Sequence, residues 1–153
     1  MDTHEGLTID EIFGGLTPKT LRDFQALGHM SAYLPGMVLF AGGEACAGIF
    51  WVISGQVRIS TYDAAGRCVV ARAAHIGELL GLYEALCAEA YETTAQVEEP
   101  SEVSFVSRAD FWDFLSSHSD AAFRIVQHLG NRVDLALSQL RLASTLKPPK
   151  PPN

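Results

Sequence analysis

At 153 residues, with 48% hydrophobic and 19% charged side chains, the chain fits one compact domain with its own core and excludes a disordered polypeptide or a second full domain. The formal charge of −7, from 18 acidic and 11 basic residues, argues against DNA binding by this chain alone, because phosphate contacts need a basic surface. No apolar run reaches the ~18 residues that span a bilayer, and the start MDTHEGLTIDEI is acidic, so we expect a cytoplasmic protein without a membrane partner.

Thr17 and Pro18 form a hydroxyl N-cap followed by proline, and Leu21, Phe24 and Leu27 recur at helical spacing until Gly28. Short β-type runs follow at 37–40, 49–54, 57–62 and 67–73, with glycines between or beside them. The clearest is 56–61, where Val57, Ile59 and Thr61 alternate with Gln56, Arg58 and Ser60. The segment Asp63-Ala64-Ala65-Gly66 is its hairpin turn. From His75 to Val97 the chain reads as a helical cassette launched from Gly77 and Gly81 and closed by Thr93 and Thr94. Two more strands are expected at 93–98 and 102–107, separated by a turn at Pro100, and the whole suggests a jelly-roll sandwich or barrel.

The sequence Ser107-Arg108-Ala109-Asp110 resembles a capping signal and opens a helix through Phe111, Phe114 and Leu115. After a break at 116–119, the longest helix starts at Asp120. Along it Ala122, Val126, Leu129, Val133, Ala136, Leu140 and Ala143 repeat by four and three, the pattern of a coiled-coil seam. We expect a homodimer through this helix, with Val126, Leu129, Val133, Ala136 and Leu140 at the interface. The end LKPPKPPN, residues 147–153, reads as a tail or linker stub. The three cysteines, Cys46, Cys68 and Cys87, include no CxxC pair and read as reduced, mostly buried thiols.

This order of elements resembles the cyclic-nucleotide-binding (cNMP-binding) sensor domain of Crp/Fnr-type bacterial regulators. YLPGMVLFAGGEACAGIFWVISGQVRIS resembles the first barrel half, DAAGR the central hairpin and IGELLGLYEAL the cassette. The resemblance spans residues 12–143. It implies a mainly β fold with flanking helices: a double-stranded β-helix or jelly-roll barrel over about 30–107, then a long dimerisation helix over about 120–145, all within a sensor domain of 1–146. It also implies a sensing and dimerising role in transcription regulation, with the helix-turn-helix DNA-binding domain of such regulators not present in this chain.

The family's nucleotide receptors place a glutamate after the second cassette glycine, for the ribose, and an arginine further on, for the phosphate, followed by a small hydroxyl residue. Aligned on Gly81, these positions are Leu82, Glu92 and Thr93. Aligned on Gly77, Glu78 matches superficially, but the arginine falls on Ala88. No lysine or arginine lies between residues 78 and 106, and the base-contacting positions on the long helix align with Ala136 and Leu137. Cyclic AMP in its usual mode is therefore not expected, and no other cofactor is assigned. The expected pocket comprises Gly81, Leu82, Tyr83, Tyr91, Glu92, Thr93 and Thr94, together with the long helix. It either holds a neutral or weakly polar effector or is filled by its own side chains.

Other chemistry finds less support. Iron–sulfur sensing needs clustered cysteines near the N-terminus, haem would rest on His75 or His128, and no histidine spacing suits a metal. A cupin-like enzyme would need an HxH pair that the strands do not carry, and Glu78 with Glu92 reads better as one salt-bridged and one surface acid than as a catalytic pair. We expect no enzyme. The alternatives kept open are a stand-alone interaction module that pairs with a full-length regulator, a genuine cyclic-nucleotide-binding domain, and a haem sensor.

Overall fold

The computed structural model describes residues 7–146. Local sequence signals account for most helix boundaries. Helix α1 (Ile9–Phe13) starts from a capping box in which Thr8 and Glu11 satisfy each other's backbone N–H groups. Helix α2 (Pro18–Leu27) is capped by Thr17. Helix α4 (Arg108–Ser117) starts where Ser107 accepts a hydrogen bond from the Asp110 N–H at 3.1 Å. Helix α5 (Ser119–Leu146) is continuous over 28 residues.

Between α2 and α4 lies one antiparallel sheet curled on itself. Its strands are β1 (His29–Tyr33), β2 (Val38–Phe40), β3 (Gly48–Tyr62), β4 (Cys68–Ala74), β5 (Leu79–Leu80) and β6 (Thr94–Ser107). The hydrogen-bonded order is β1-β6-β3-β4, with β2 added to β6 and β5 to β3. Strands β3 and β6 run side by side from the Gly48–Ser107 pair to the Ser60–Thr94 pair and form the spine. This is the mainly β jelly-roll with flanking helices that the sequence suggests.

Two expected breaks are instead continuous strands. Gly55 and Pro100 separate shorter strands in the sequence reading, yet β3 and β6 run through both positions. The interruptions face one another. β3 shifts register on either side of Gly55, whose φ of +89° brings its Cα so close to Ser101 and the Pro100 carbonyl that a Cβ would collide with them. The Ser101 hydroxyl accepts a hydrogen bond from the Gln56 N–H at 3.0 Å, which keeps the ladder closed beside the proline that cannot donate.

Three further expectations are corrected. Strand β1 and helix α1 stand where no element is expected, and both are only five residues long, too short to carry much periodicity. The cassette helix α3 (Leu82–Cys87) covers only six residues, because β5 occupies the space between the two glycines and an irregular segment runs from Ala88 to β6. Cys46 is buried, but Cys68 and Cys87 are exposed, since β4 is an edge strand and Cys87 ends a surface helix.

The core has an aromatic part and an aliphatic part. Phe13, Phe24, Phe111 and Phe114 from α1, α2 and α4 meet Trp51 of β3, with Phe24 within 5.0 Å of the Phe13 ring and 5.7 Å of Trp51. Ile49, Val52, Val57, Val97, Val103 and Val106 fill the interior of the spine. Helix α5 adds Ala121 and Ile125 to this core, and Leu129 packs against it half-buried. Among the described residues, no helix is long and apolar enough to cross a membrane.

Candidate functional site

The site grows from the β3–β4 hairpin. Asp63 closes its turn by accepting from the Ala65 and Arg67 N–H groups at 2.9 Å each, and the turn fixes the register Ile59–Arg72 and Thr61–Val70. Residues two apart on a strand share a face, so these four side chains line one wall. A second wall is the segment 78–84, which follows Gly77. It is sewn down on both sides: the Ile9 N–H donates to the Gly77 carbonyl at 2.8 Å, the Leu79 N–H to the Leu7 carbonyl at 2.8 Å, and the Gly77 N–H to the Val52 carbonyl at 2.6 Å. Between the walls is a cavity of about 390 Å³, whose other lining includes Leu7, Phe40, Glu92 and Thr93.

Glu78 is the most informative side chain here. It is 0% exposed and held fork to fork by Arg72, with Nη1 donating to Oε1 at 3.1 Å and Nη2 to Oε2 at 2.6 Å. The His75 N–H donates to Oε1 at 2.9 Å. Such a buried carboxylate is tolerated because a guanidinium matches it in charge and in plane. Arg72 itself is 20% exposed and lines the cavity.

Gly81 launches α3 with φ of +83°, and a Cβ there would strike the Tyr91 ring. Tyr91 is buried. Its hydroxyl donates to the Gly48 carbonyl at 2.6 Å and accepts from the Gly48 N–H at 3.1 Å, its ring stacks on Phe40 at 4.0 Å, and burial pushes its hydroxyl well above the usual tyrosine range. Thr94 accepts from the Gly42 N–H at 2.9 Å. Of the expected pocket residues, the structure brings Gly81, Leu82, Tyr83, Glu92 and Thr93 to the cavity. It places Tyr91 and Thr94 behind the wall, as structural supports. No α5 residue belongs to the lining among the described residues.

Both alignments meet the cavity, since Leu82 and Glu92 as well as Glu78 belong to its lining. The carboxylate that follows a cassette glycine and reaches the cavity is Glu78, after Gly77, whereas Leu82 is a buried apolar wall residue. A cation is also present, but it comes from β4 and not from the cassette, which is why a search confined to residues 78–106 misses Arg72. The signal was legible in principle: once the hairpin turn is fixed, pairing places Arg72 beside Ile59 on the inward face. Glu92, by contrast, is exposed at the rim, and Glu84 accepts a hydrogen bond from its N–H at 3.3 Å.

Two arginines tie this region to the C-terminal helices. Arg108 donates to the Ala85 and Ala88 carbonyls at the end of α3, at 3.0 and 2.7 Å, and Trp112 donates to Ala85 at 3.0 Å. Arg124 of α5 donates to the Ile12 and Glu11 carbonyls of α1 at 3.1 and 3.2 Å, and the His128 ring nitrogen lies 3.1 Å from the Glu11 carbonyl. His75 is exposed and outside the cavity lining. Among the described residues, no three His, Cys, Asp or Glu side chains converge as a metal site requires.

On α5, Phe123 and Val126 are each 62% exposed and Leu137 is 42% exposed. Of the expected seam, Val126 is thus exposed, whereas Leu129 packs half-buried against the core. The side chains of Val133, Ala136 and Leu140 lie outside the described residues, as does the 147–153 tail.

A curled β-spine beside a partly open cavity, a glycine-launched cassette helix and a long C-terminal helix define a barrel of the cyclic-nucleotide-binding type. Residues 30–118 match the cyclic nucleotide-binding domain family, and the chain belongs to it. Its fold is that of Crp/Fnr-type regulators. The catabolite activator protein of Thermus thermophilus aligns with TM-score 0.73 and 24% identity, over 87% of this chain and 62% of that one. The sensor domain of the transcriptional regulator DNR from Pseudomonas aeruginosa aligns with TM-score 0.72 and 20% identity, over 83% and 85%. The N-terminal domain of a transcriptional regulator from Streptomyces coelicolor gives TM-score 0.74 and 16% identity, over 84% and 89%. The chain thus spans less than two thirds of the Thermus protein. No curated protein sequence matches it.

Proposed function

We propose that this chain is the effector-sensing and dimerising domain of a cytoplasmic Crp/Fnr-type transcription regulator, without catalytic activity, and that its cavity does not take cyclic AMP in the family's usual way. The observation that carries the reading is the Arg72–Glu78 fork. A cyclic nucleotide asks for a free carboxylate at the sugar and an uncompensated cation at the phosphate. Here the buried carboxylate and the cavity's arginine are spent on each other. The remaining charged lining groups, Glu84 and Glu92, are both anionic, and an anion placed among them is repelled.

Dimerisation through α5 is supported by its exposed stripe of Phe123, Val126 and Leu137, which a second copy would cover. The effector is then a neutral or weakly polar molecule held against Leu82, Tyr83 and Thr93. DNA contact would belong to a further domain of the regulator.

Native mass spectrometry of the purified chain, alone and with cyclic AMP or cyclic GMP added, tests both parts. A dimer that ignores both nucleotides is expected, with Val126→Lys shifting it to monomer. Uptake of one nucleotide per subunit would overturn the pocket reading, and a wild-type monomer would overturn the dimer.

A further inference from the structure

The cavity carries one unmet demand. Arg72 has five N–H donors. Nη1 and Nη2 each give one to Glu78, and Nη1 also lies 3.5 Å from the Ala73 carbonyl. The remaining edge, Nε–H with the second Nη2–H, has no partner among the described residues. Every buried side-chain nitrogen and oxygen described here does have one, so the unpaired Nε is not sealed in protein. The side chain keeps 20% of its surface exposed and is part of the cavity wall. Glu78, fully buried, clamps the guanidinium from the other edge and fixes its plane.

The charge around this edge selects what can meet it. Arg72 is neutralised by Glu78, and Glu84 and Glu92 add two negative charges to the lining. A phosphate or carboxylate would gain no uncompensated cation and would face two carboxylates. An amine would place a donor against donors. An uncharged carbonyl oxygen offers two in-plane lone pairs to two parallel N–H groups, without adding charge. The same lining holds the apolar side chains of Leu7, Ile59, Leu79 and Leu82.

We infer that the cavity's ligand is an uncharged carbonyl compound, an amide or ester-type molecule with an apolar body, whose oxygen is received by the Nε–Nη2 edge of Arg72. Arg72 is then the specificity-determining residue of the site, and Glu78 is a positioning residue that acts through it. This inference rests on the cavity being the effector site.

Four probes with one six-carbon body and different heads test it: hexanamide, hexanoate, hexylammonium and hexyl phosphate. Each is titrated into the ¹⁵N-labelled full chain while the arginine Nε–H resonances and the backbone spectrum are followed. Hexanamide is expected to shift the Arg72 Nε–H signal together with the amides of Gly81 and Leu82, and to bind more tightly than the three charged probes. Arg72→Lys keeps the charge opposite Glu78 but loses the planar edge, so it should retain a folded spectrum and bind hexanamide about tenfold more weakly, the loss expected for one hydrogen bond. Tighter binding of hexanoate or hexyl phosphate, or undiminished hexanamide binding by a folded Arg72→Lys, would overturn this inference while leaving the cavity as the effector site. Absence of any cavity shift with all four probes would overturn both.

Discussion

The barrel treats its two halves differently, although both are built on β3. Around Trp51 the strand meets α1, α2 and α4, and Phe13, Phe24, Phe111 and Phe114 pack there with rings 5.0 to 6.3 Å apart. Around Ile59 and Thr61 the same strand lines about 390 Å³ of open space and a buried ion pair. The first arrangement gains free energy from burial and dispersion with little polar cost. The second forgoes packing and must desolvate two charges, which hydrophobic residues of like shape could replace at no loss. A chain selected for stability alone would fill that space. The contrast sets an open, charged half against a packed aromatic half.

The sharpest way to break the comparison is at its packed end. Phe24 is fully buried and touches four aromatic partners, so Phe24→Ala should cost about 3–5 kcal/mol, read as a drop in the urea midpoint at constant slope. A loss below about 1 kcal/mol would mean that the rings rearrange freely and the cluster is no keystone. The cavity end should respond in a different manner. Glu78→Ala strands a largely buried guanidinium and should cost about 3 kcal/mol. The double variant Arg72→Leu with Glu78→Leu removes both charges together and should return to within about 1 kcal/mol of the wild type. If the double variant is as unstable as the single one, the ion pair is structural after all, and the distinction between the two halves fails.

How much of this was legible beforehand follows the same divide. The packed half announces itself: hydroxyl caps at Thr17 and Ser107, alternation along Val57, Ile59 and Thr61, and phenylalanines at helical spacing are local signals that need no partner to be read. The cavity depends on pairings between distant segments. Arg72 acquires its meaning only when the Asp63–Gly66 turn sets it opposite Ile59, and Glu78 only when Leu7–Ile9 closes over it, a segment whose five-residue helix gives almost no periodic signal. Gly55 and Pro100 misled for a related reason. Each looks like a strand end alone, and only their meeting across the β3–β6 ladder reveals one shared bulge. Leu129 likewise satisfies a seam period but turns inward, because a heptad pattern cannot tell a partner helix from the chain's own barrel.

The smallest expected effect compares ion pairs in the two halves. Over the aromatic cluster, His118 stacks on Phe114 at 4.3 Å, and its Nε2 meets Asp23 Oδ2 at 2.9 Å while Nδ1 meets the Phe114 carbonyl at 3.0 Å. Both neighbours are acceptors, so only the doubly protonated ring donates to both. The hydrogen bond to Asp23, then that to the Phe114 carbonyl, raises the His118 pKa; Lys19, then His118, lowers that of Asp23. The raised histidine stabilises the fold fully below its ordinary value of about 6.5, and this contribution is lost as pH climbs through the raised one. The Asp23 contribution is lost only as pH falls through its lowered value, so the pair acts between the two. Because both groups face solvent, salt screens the pair. The melting-temperature gap between wild type and His118→Gln should therefore be small, shrink from about pH 6 to about pH 9, and close further in high salt. A gap that ignores both pH and salt would show that the imidazole is held by stacking on Phe114 and not by its charge.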